Sequence, residues 1–430
     1  MFIEKTRFWR SQVLQRVRHN LALIPEELVE RDYQTDSLLH KPFARKKFRT
    51  AGLLPKAVVL ELDDAFRNVF GFPHVAAVSQ GRVAEAMCAR LLVRNGYVIP
   101  SSALFPTTHI HYQLNGGIPV EAMTEAAYDP SSEDPFKGNL DVALVEKIID
   151  QNHPRWCPFI CVEPCNNATG GHPVSMDNMR RIRALADKKG VKVVLDASRM
   201  VENAFHIRER ESGFAGKPVL DIIREFCSYA DHCSLSATKD FPTPIGGFFA
   251  TRDEKLYHEA MDFIVGFGSG LSHDGREALA GALAKPEDAF LLVAEKMALV
   301  KRMHEGLRET LPLVGPAGGH AVYVDMNRFD TGVPADLHPD KAFLHYLYQE
   351  YGVRAAENMP SPKQKERGIR LVRFAVPVIH QDKDSVEATI RDVKKAVSEK
   401  TRYSGLKKTG EPPGITGPMR AYYAPGKISR

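Results

Sequence analysis

From residue 73 onward the apolar positions fall into two alternating kinds. Short apolar runs, Val75–Val78, Gly96–Ile99, Phe159–Val162, Val191–Leu195, Cys233–Leu235 and Gly247–Ala250, read as strands. Several are separated by longer stretches with helical period: Arg82–Arg94, Leu140–Asp150, Ser175–Lys189 and Val219–Ala230. Strands alternating with helices predict an α/β fold, a mostly parallel sheet covered on both faces. Residues 272–312 keep the helical period and predict a long connecting element. Beyond Gly319 the pattern becomes strand His320–Asp325, helix Pro339–Tyr351, strand Arg370–Ala375 and helix Asp382–Glu399, a small α+β domain. The Gly- and Pro-rich tail after Ser404 predicts irregular chain. The expected division is an N-terminal segment 1–55 that joins the small domain or wraps a neighbouring subunit, a large domain 56–300 and a small domain 301–430.

Composition narrows the class without naming the chemistry. A chain of 430 residues, 43% apolar and 26% charged, has ample material for two domains. A net charge of +5 is too slight to imply nucleic acid. The excess is local: Lys41, Arg45, Lys46, Lys47, Arg49 and Lys56 lie in a window, Leu38 to Leu60, that holds no acid, and the tail from Lys394 is basic too. A solvated surface is the plain reading of both. The opening MFIEKTRFWR has no apolar core of signal-peptide length and no window approaches a membrane span, so no membrane partner is expected. Six scattered cysteines without a CxxC pair fit a reduced, cytoplasmic setting. Cys157, Cys161 and Cys165 recur every fourth residue, but the β-prone, proline-bracketed sequence between them denies them one helix face, and no zinc is expected. His109 and His111 alternate across one residue as on a strand face, with no carboxylate near, and no metal is expected there either.

The chemistry concentrates at strand ends. The run Val191–Arg199, VKVVLDASR, delivers Asp196 to the carboxyl edge of a buried strand, where open α/β sheets keep their ligand crevice, with Arg199 three residues on. The SATKD stretch, Ser236–Asp240, places Lys239 after Cys233–Leu235 and before Gly246–Gly247. An acid, an arginine and a lysine so placed point to a pyridoxal phosphate enzyme, in which a lysine carries the cofactor covalently and a carboxylate partners the pyridinium nitrogen. Gln80, Gly81 and Arg82 follow a strand and open a helix, the natural cradle for a phosphate, and Ser236 can donate to the same group. Phe105 offers a flat face to a ring, and Asn167, in a turn with Asn166, Gly170 and Gly171, offers an amide to the cofactor's phenolic oxygen, as does Arg199 its guanidinium. Lys239, desolvated beside another cation, suits removal of the α-proton, and Arg373 suits a substrate carboxylate. Taken singly, each has a plain alternative: a tight βα turn, a core phenylalanine, an Asn-rich turn, a structural Asp–Arg pair.

Six blocks carry a resemblance: FGFPHVAAVSQGR (Phe70–Arg82), NNATGGHPVSMDNMR (Asn166–Arg180), DASRMVENAF (Asp196–Phe205), SATKD followed by IGG, AGGHAVYVD (Ala317–Asp325) and VRFAVP (Val372–Pro377). In this order they resemble the β-eliminating lyase family that includes tryptophanase and tyrosine phenol-lyase, over roughly residues 30 to 400. The resemblance implies a fold-type-I pyridoxal phosphate enzyme like aspartate aminotransferase, with a seven-stranded, mostly parallel sheet in its large domain and a small α+β domain. It also implies a homodimer or homotetramer with shared active sites. Carried over, Gln80, Gly81, Arg82 and Ser236 hold the phosphate, Phe105 stacks on the ring, and Asn167 and Arg199 bond its oxygen. Asp196 pairs with the ring nitrogen, Lys239 binds the cofactor covalently, Arg373 binds the substrate carboxylate, and Thr35 in YQTDS lies near it.

The departures cluster around the substrate side chain. Pro106 follows the stacking phenylalanine where the family has an aspartate or threonine. No tyrosine lies between Gln34 and Gly96 to match the family's proton donor, and no acid lies between Leu38 and Leu60 to match its monovalent-cation ligand. Thr238 stands for a lysine and Asn358 for the arginine that holds phenol. The expected activity is therefore α-proton removal and β-elimination on an amino acid other than plain tyrosine or tryptophan. A pyridoxal phosphate aminotransferase, aldolase or β-replacement enzyme is the alternative. A non-catalytic scaffold is the alternative of another class, against which Lys239, Asp196 and Arg373 speak. Lys46 and Lys47 further suggest an anionic substrate side chain.

Overall fold

The computed structural model describes residues 6–37, 62–377, 383–413 and 420–426. The basic window Lys41–Lys56, with Lys46 and Lys47, lies outside the described residues. Numbered along the chain, the strands are β1 (Arg31–Asp32), β2 (His74–Val78), β3 (Val98–Ser101), β4 (Ile118–Glu121), β5 (Phe159–Val162), β6 (Lys192–Asp196), β7 (His232–Ser236), β8 (Gly247–Thr251), β9 (Ala321–Asp325), β10 (Val353–Arg354), β11 (Ala356–Asn358), β12 (Leu371–Ala375), β13 (Gly405–Gly410) and β14 (Tyr422–Gly426).

Strands β2 to β8 form one seven-stranded sheet in the order β2-β8-β7-β6-β5-β3-β4. Only β8 runs against its neighbours; the pairs β3–β4, β3–β5, β5–β6 and β6–β7 are parallel. Alternate residues divide between two cores: Ile160, Val162, Val193 and Leu195 pack on one face, while Phe159, Cys161 and Val194 pack on the other. Burial on both faces explains the unbroken apolar runs of β5 and β6. The connecting helices show ordinary end signals. Met176–Lys189 starts at Ser175, whose hydroxyl accepts from Asn178 N at 3.0 Å, and stops at Gly190 with φ 67°.

Residues 272–312 resolve into two helices, His273–Ala284 and Pro286–Leu307, because Pro286 denies a continuous helix its backbone donor. The second helix feeds both cores: Ala289, Phe290 and Val293 pack with the large sheet, and Leu299, Val300, Met303 and Leu307 with a second core. That second core gathers Val13, Leu14 and Tyr33 with Phe343, Leu347, Val372, Phe374 and Ile390. It packs against the antiparallel sheet β11-β12-β9 and the parallel pair β1–β10.

One strand is additional to the expected elements, and two expectations are corrected. The edge strand β4 is not legible as a strand, since IPVE contains a proline; an edge strand tolerates it because one side lacks a partner. His109 and His111 lie on the helix Pro106–Leu114, not a strand, so residues two apart point to opposite sides. The tail after Ser404 is not irregular: β13 and β14 pair antiparallel, and Tyr423 N donates to Arg18 O at 3.0 Å.

Candidate active site

Parallel strands bring their carboxyl ends to one edge, and there the chain collects its charged residues. Asp196 ends β6 and is 5% exposed. One carboxylate oxygen accepts from Ser198 N at 3.1 Å and Ser198 Oγ at 2.6 Å, and no cation among the described residues forms an ion pair with it. Burial raises its carboxyl above the ordinary aspartate range, against the opposing pull of the Ser198 bonds and Arg199. Two further buried carboxyls stand close. Glu85 accepts from the Thr107 hydroxyl and is pushed up to about 8 by burial and then by Asp196. Glu163 accepts from Phe105 N at 2.6 Å and is raised well above its usual value, again by burial and then Asp196.

Lys239 follows β7 on the short helix Ala237–Asp240. Its Nζ donates to Asp36 Oδ1 at 3.1 Å and to Ser37 Oγ at 3.4 Å. Arg199 Nε donates to the other Asp36 oxygen at 2.8 Å. Burial favours the neutral form of Asp36, but Arg199 and then Lys239 outweigh it and hold the carboxyl well below the aspartate range. Burial lowers the Lys239 amine, Asp36 opposes this, and Arg199 and Arg373 add to it.

Arg373, on β12, donates from Nη1 to Asn167 Oδ1 at 2.8 Å and from Nη2 to Gln34 O at 3.0 Å. Asn167 Oδ1 also accepts from Tyr323 OH at 3.0 Å and contacts His320 Nε2 at 2.9 Å. The other ring nitrogen of His320 meets Glu202 Oε2 at 3.0 Å, and Glu202 pairs with Lys296, both fully buried. Lys296 Nζ in turn donates to Lys239 O at 3.3 Å. Burial, aided by Arg199, lowers His320 to about 4, so it is neutral at pH 7.

The sequence-predicted residues thus fall into two contiguous groups. Lys239, Arg199, Asn167 and Arg373 are joined by hydrogen bonds through Asp36, Gln34, His320 and Tyr323. Gly81 and Ser236 abut so closely that a Cβ on Gly81 would lie 2.4 Å from Ser236 Cβ. Gln80 bridges Gly246, and Gln80 and Arg82 keep exposed side chains at the helix start. Phe105 precedes the helix Pro106–Leu114 and is half-buried. Thr35 is not brought to Arg373 by a hydrogen bond; its hydroxyl pairs with Ser37 Oγ at 3.3 Å, and the contact to Arg373 comes from Gln34 instead. Asn358 donates to Asn167 O at 3.2 Å.

Sequence reasoning passes over Asp36, Glu85, Glu163, Glu202, Lys296, His320 and Tyr323. Asp36 sits between Thr35 and Ser37 in YQTDS, Glu202 lies inside DASRMVENAF, and His320 and Tyr323 lie inside AGGHAVYVD, so those blocks carry a signal for four of the seven. Asp36, Glu202 and His320 present ligand atoms within 4.8 Å of one another. Each is already engaged, Asp36 by Arg199 and Lys239, Glu202 by Lys296, and His320 by Glu202 and Asn167.

These residues fit the pyridoxal phosphate implied by the sequence blocks. Asp196 is a buried carboxylate with no ion-pair partner among the described residues, a group that a pyridinium nitrogen would suit. Asn167 Nδ2 and Arg373 Nε are buried donors without partners among the described residues, one suited to the ring oxygen and the other to a carboxylate. Glycine at 81 and at 247 keeps the turn beside Ser236 free of side chains, as a backbone phosphate cradle requires. No helix among the described residues is long and apolar enough to cross a membrane.

Comparison with known proteins agrees. The profile of the "Beta-eliminating lyase" family matches residues 56–389. A tyrosine phenol-lyase of Symbiobacterium sp. (strain SC-1) is 34% identical over 429 aligned positions, covering 95% of this chain and 93% of the relative. A probable beta-eliminating lyase of Trichomonas vaginalis is 31% identical, covering 87% and 85%. Among solved structures, a serine palmitoyltransferase of Sphingomonas wittichii superposes with a TM-score of 0.59 at 15% identity, over 86% of this chain and 88% of that one, which shows the fold-type-I architecture. The chain belongs to the β-eliminating lyase family and is a pyridoxal phosphate-dependent lyase.

Proposed function

We propose that this lyase eliminates the β-substituent of an amino acid other than plain tyrosine or tryptophan, with Lys239 as both covalent anchor and base. The observation that carries the assignment of residues is Asp196, a buried carboxylate with no ion-pair partner among the described residues. It sits at the edge where Lys239, Arg199 and Arg373 also gather. When bound, the cofactor supplies an electron sink for the charge that develops at the substrate α-carbon. Asp196 would face the ring nitrogen, Phe105 would cover the ring, Asn167 and Arg199 would bond the ring oxygen, and Gln80, Gly81, Arg82 and Ser236 would hold the phosphate. Arg373 takes the substrate carboxylate with a guanidinium already aimed by Asn167 and Gln34. Lys239 Nζ, lowered by burial and its cationic neighbours, accepts the α-proton.

What leaves from the β-carbon is set by the other side of the pocket. Asn358 brings no charge, and its amide is spent on Asn167 O. Pro106 has no side-chain donor or acceptor, and the sequence holds no tyrosine between Gln34 and Gly96. A substituent that leaves as a thiolate needs no acid at carbon, which supports C–heteroatom elimination over release of phenol or indole. Six unpaired, buried cysteines support a cytoplasmic setting, and the family resemblance supports a homodimer or homotetramer.

Two measurements test the reading. Borohydride reduction of the loaded enzyme followed by peptide mapping is expected to fix the cofactor on Lys239; a label on any other lysine overturns the anchor. Incubation with S-substituted cysteines, tyrosine and tryptophan is expected to release ammonia and keto acid in equal amounts from the first group alone. Phenol or indole at a comparable rate would overturn the substrate class. Accumulation of pyridoxamine phosphate would overturn elimination in favour of transamination.

A further inference from the structure

We infer that Asp36 is a positioning residue for Lys239, whose carboxylate aims the amine and, before the cofactor is loaded, opposes the loss of its proton while residues 34–37 stay seated against Arg373. Three contacts carry the inference. The Asp36 carboxylate, 1% exposed, divides its oxygens between Lys239 Nζ at 3.1 Å and Arg199 Nε at 2.8 Å. Ser37 Oγ accepts from the same Nζ at 3.4 Å. Gln34 O accepts from Arg373 Nη2 at 3.0 Å. One four-residue segment therefore touches the amine, the cation beside it and the arginine assigned to the substrate carboxylate.

The charges around Lys239 show what Asp36 opposes. Arg199 leads into the helix Met200–Arg210, and Arg373 comes from β12; both disfavour an ammonium at Nζ. Lys296, from Pro286–Leu307, bonds the Lys239 carbonyl but is matched by Glu202. Glu85 feels the lysine charge from the helix Gly81–Leu92, but its own carboxyl is pushed up to about 8, so it is largely neutral at pH 7. Asp196 stands behind it with its carboxyl also raised by burial. Asp36 is the carboxylate in hydrogen-bonding contact with Nζ among the described residues, and it is held ionised. Without it, burial and two guanidinium groups act on the amine unopposed.

The inference rests on the reading that Lys239 is the anchor, and its test runs without cofactor so that the two fail separately. Cofactor-stripped protein is labelled with trace acetic anhydride across a pH series, and Lys239 acetylation is read by peptide mass spectrometry against Lys255, whose side chain is 89% exposed. In Asp36→Asn the Lys239 profile is expected to move down by about 1–3 pH units, about tenfold more labelling per unit at a fixed pH below the midpoint. An unmoved profile in folded D36N overturns the inference. Should D36N fail to fold, Asp36→Glu decides. It keeps the charge and changes the reach, so its midpoint is expected to stay at or above that of the wild type while cofactor affinity falls. A midpoint below the wild type would overturn the inference.

Discussion

Gly81 shows how much one missing methyl group determines. An added Cβ would lie 2.4 Å from Ser236 Cβ and 2.8 Å from its Cα, and the second neighbour is backbone that cannot rotate away. Gly81→Ala must therefore separate the helix Gly81–Leu92 from the end of β7, the two elements assigned to the phosphate. The expected outcome is a loss of about 1–3 kcal/mol of stability, as for other overpacked sites, together with weaker cofactor binding. Thermal melts of cofactor-free protein and a fluorescence titration with pyridoxal phosphate check the two parts; unchanged affinity would remove the turn from the phosphate site. At this scale the sequence singled out residues that the fold packs closely, as with the glycine of QGR against Ser236 and the lysine of SATKD beside Asp36. It was silent on Asp36, whose partners lie 163 and 203 residues away, because a short polar stretch reads as an exposed turn until distant cations are packed against it.

Elements here are joined by a few buried charges as well as by apolar faces. The clearest case is β1 and β10, each two residues long and too short to hold together by backbone bonds alone. Arg354 reaches across to Asp32, Nε to Oδ1 at 3.1 Å and Nη2 to Oδ2 at 2.5 Å, with both side chains at most 2% exposed. Tyr33 N adds a bond to Arg354 O at 2.7 Å, and the next residue begins the segment that bonds Arg373 and Lys239. Asp32→Ala leaves a buried guanidinium without its carboxylate, and about 3–5 kcal/mol of stability is expected to go with it. Urea denaturation measures this, and a loss under about 1 kcal/mol would show the pair to be replaceable. Long, doubly buried strands such as β5 and β6 were legible because their pattern reflects local burial. The strand β4 and the hairpin β13–β14 were not, since a proline-containing edge and a polar ladder acquire their structure only from neighbours far along the chain.

Across the whole molecule, burial has set two groups of titrating residues against each other. His172 and His345 are lowered to about 3, and His232 and His320 to about 4, each chiefly by desolvation. In the unfolded chain they take up protons near pH ~6.5. Their contribution to stability is complete above that value and falls as pH drops toward 4 and 3. Glu85 and Asp240 behave in the opposite sense, since burial raises both to about 8. The folded protein holds their protons where the unfolded chain has released them. This contribution is complete below pH ~4, declines as pH rises and is gone above about 8. The cofactor-free protein is therefore expected to be most stable near pH ~6.5, where the histidine loss has not begun and the carboxyl loss is incomplete. Replacing Glu85 by Gln removes one of the raised carboxyls and keeps an amide that bonds the Thr107 hydroxyl. Urea denaturation at pH 5, 6.5 and 8 is expected to show E85Q losing less stability than wild type between 6.5 and 8, by about 1 kcal/mol or more, and gaining more than wild type between 5 and 6.5, where the same carboxyl no longer opposes the histidines. An equal alkaline decline in E85Q and wild type would mean that Glu85 is ionised in the fold. The negative charge at the strand edge would then be shared with it instead of being concentrated on Asp196.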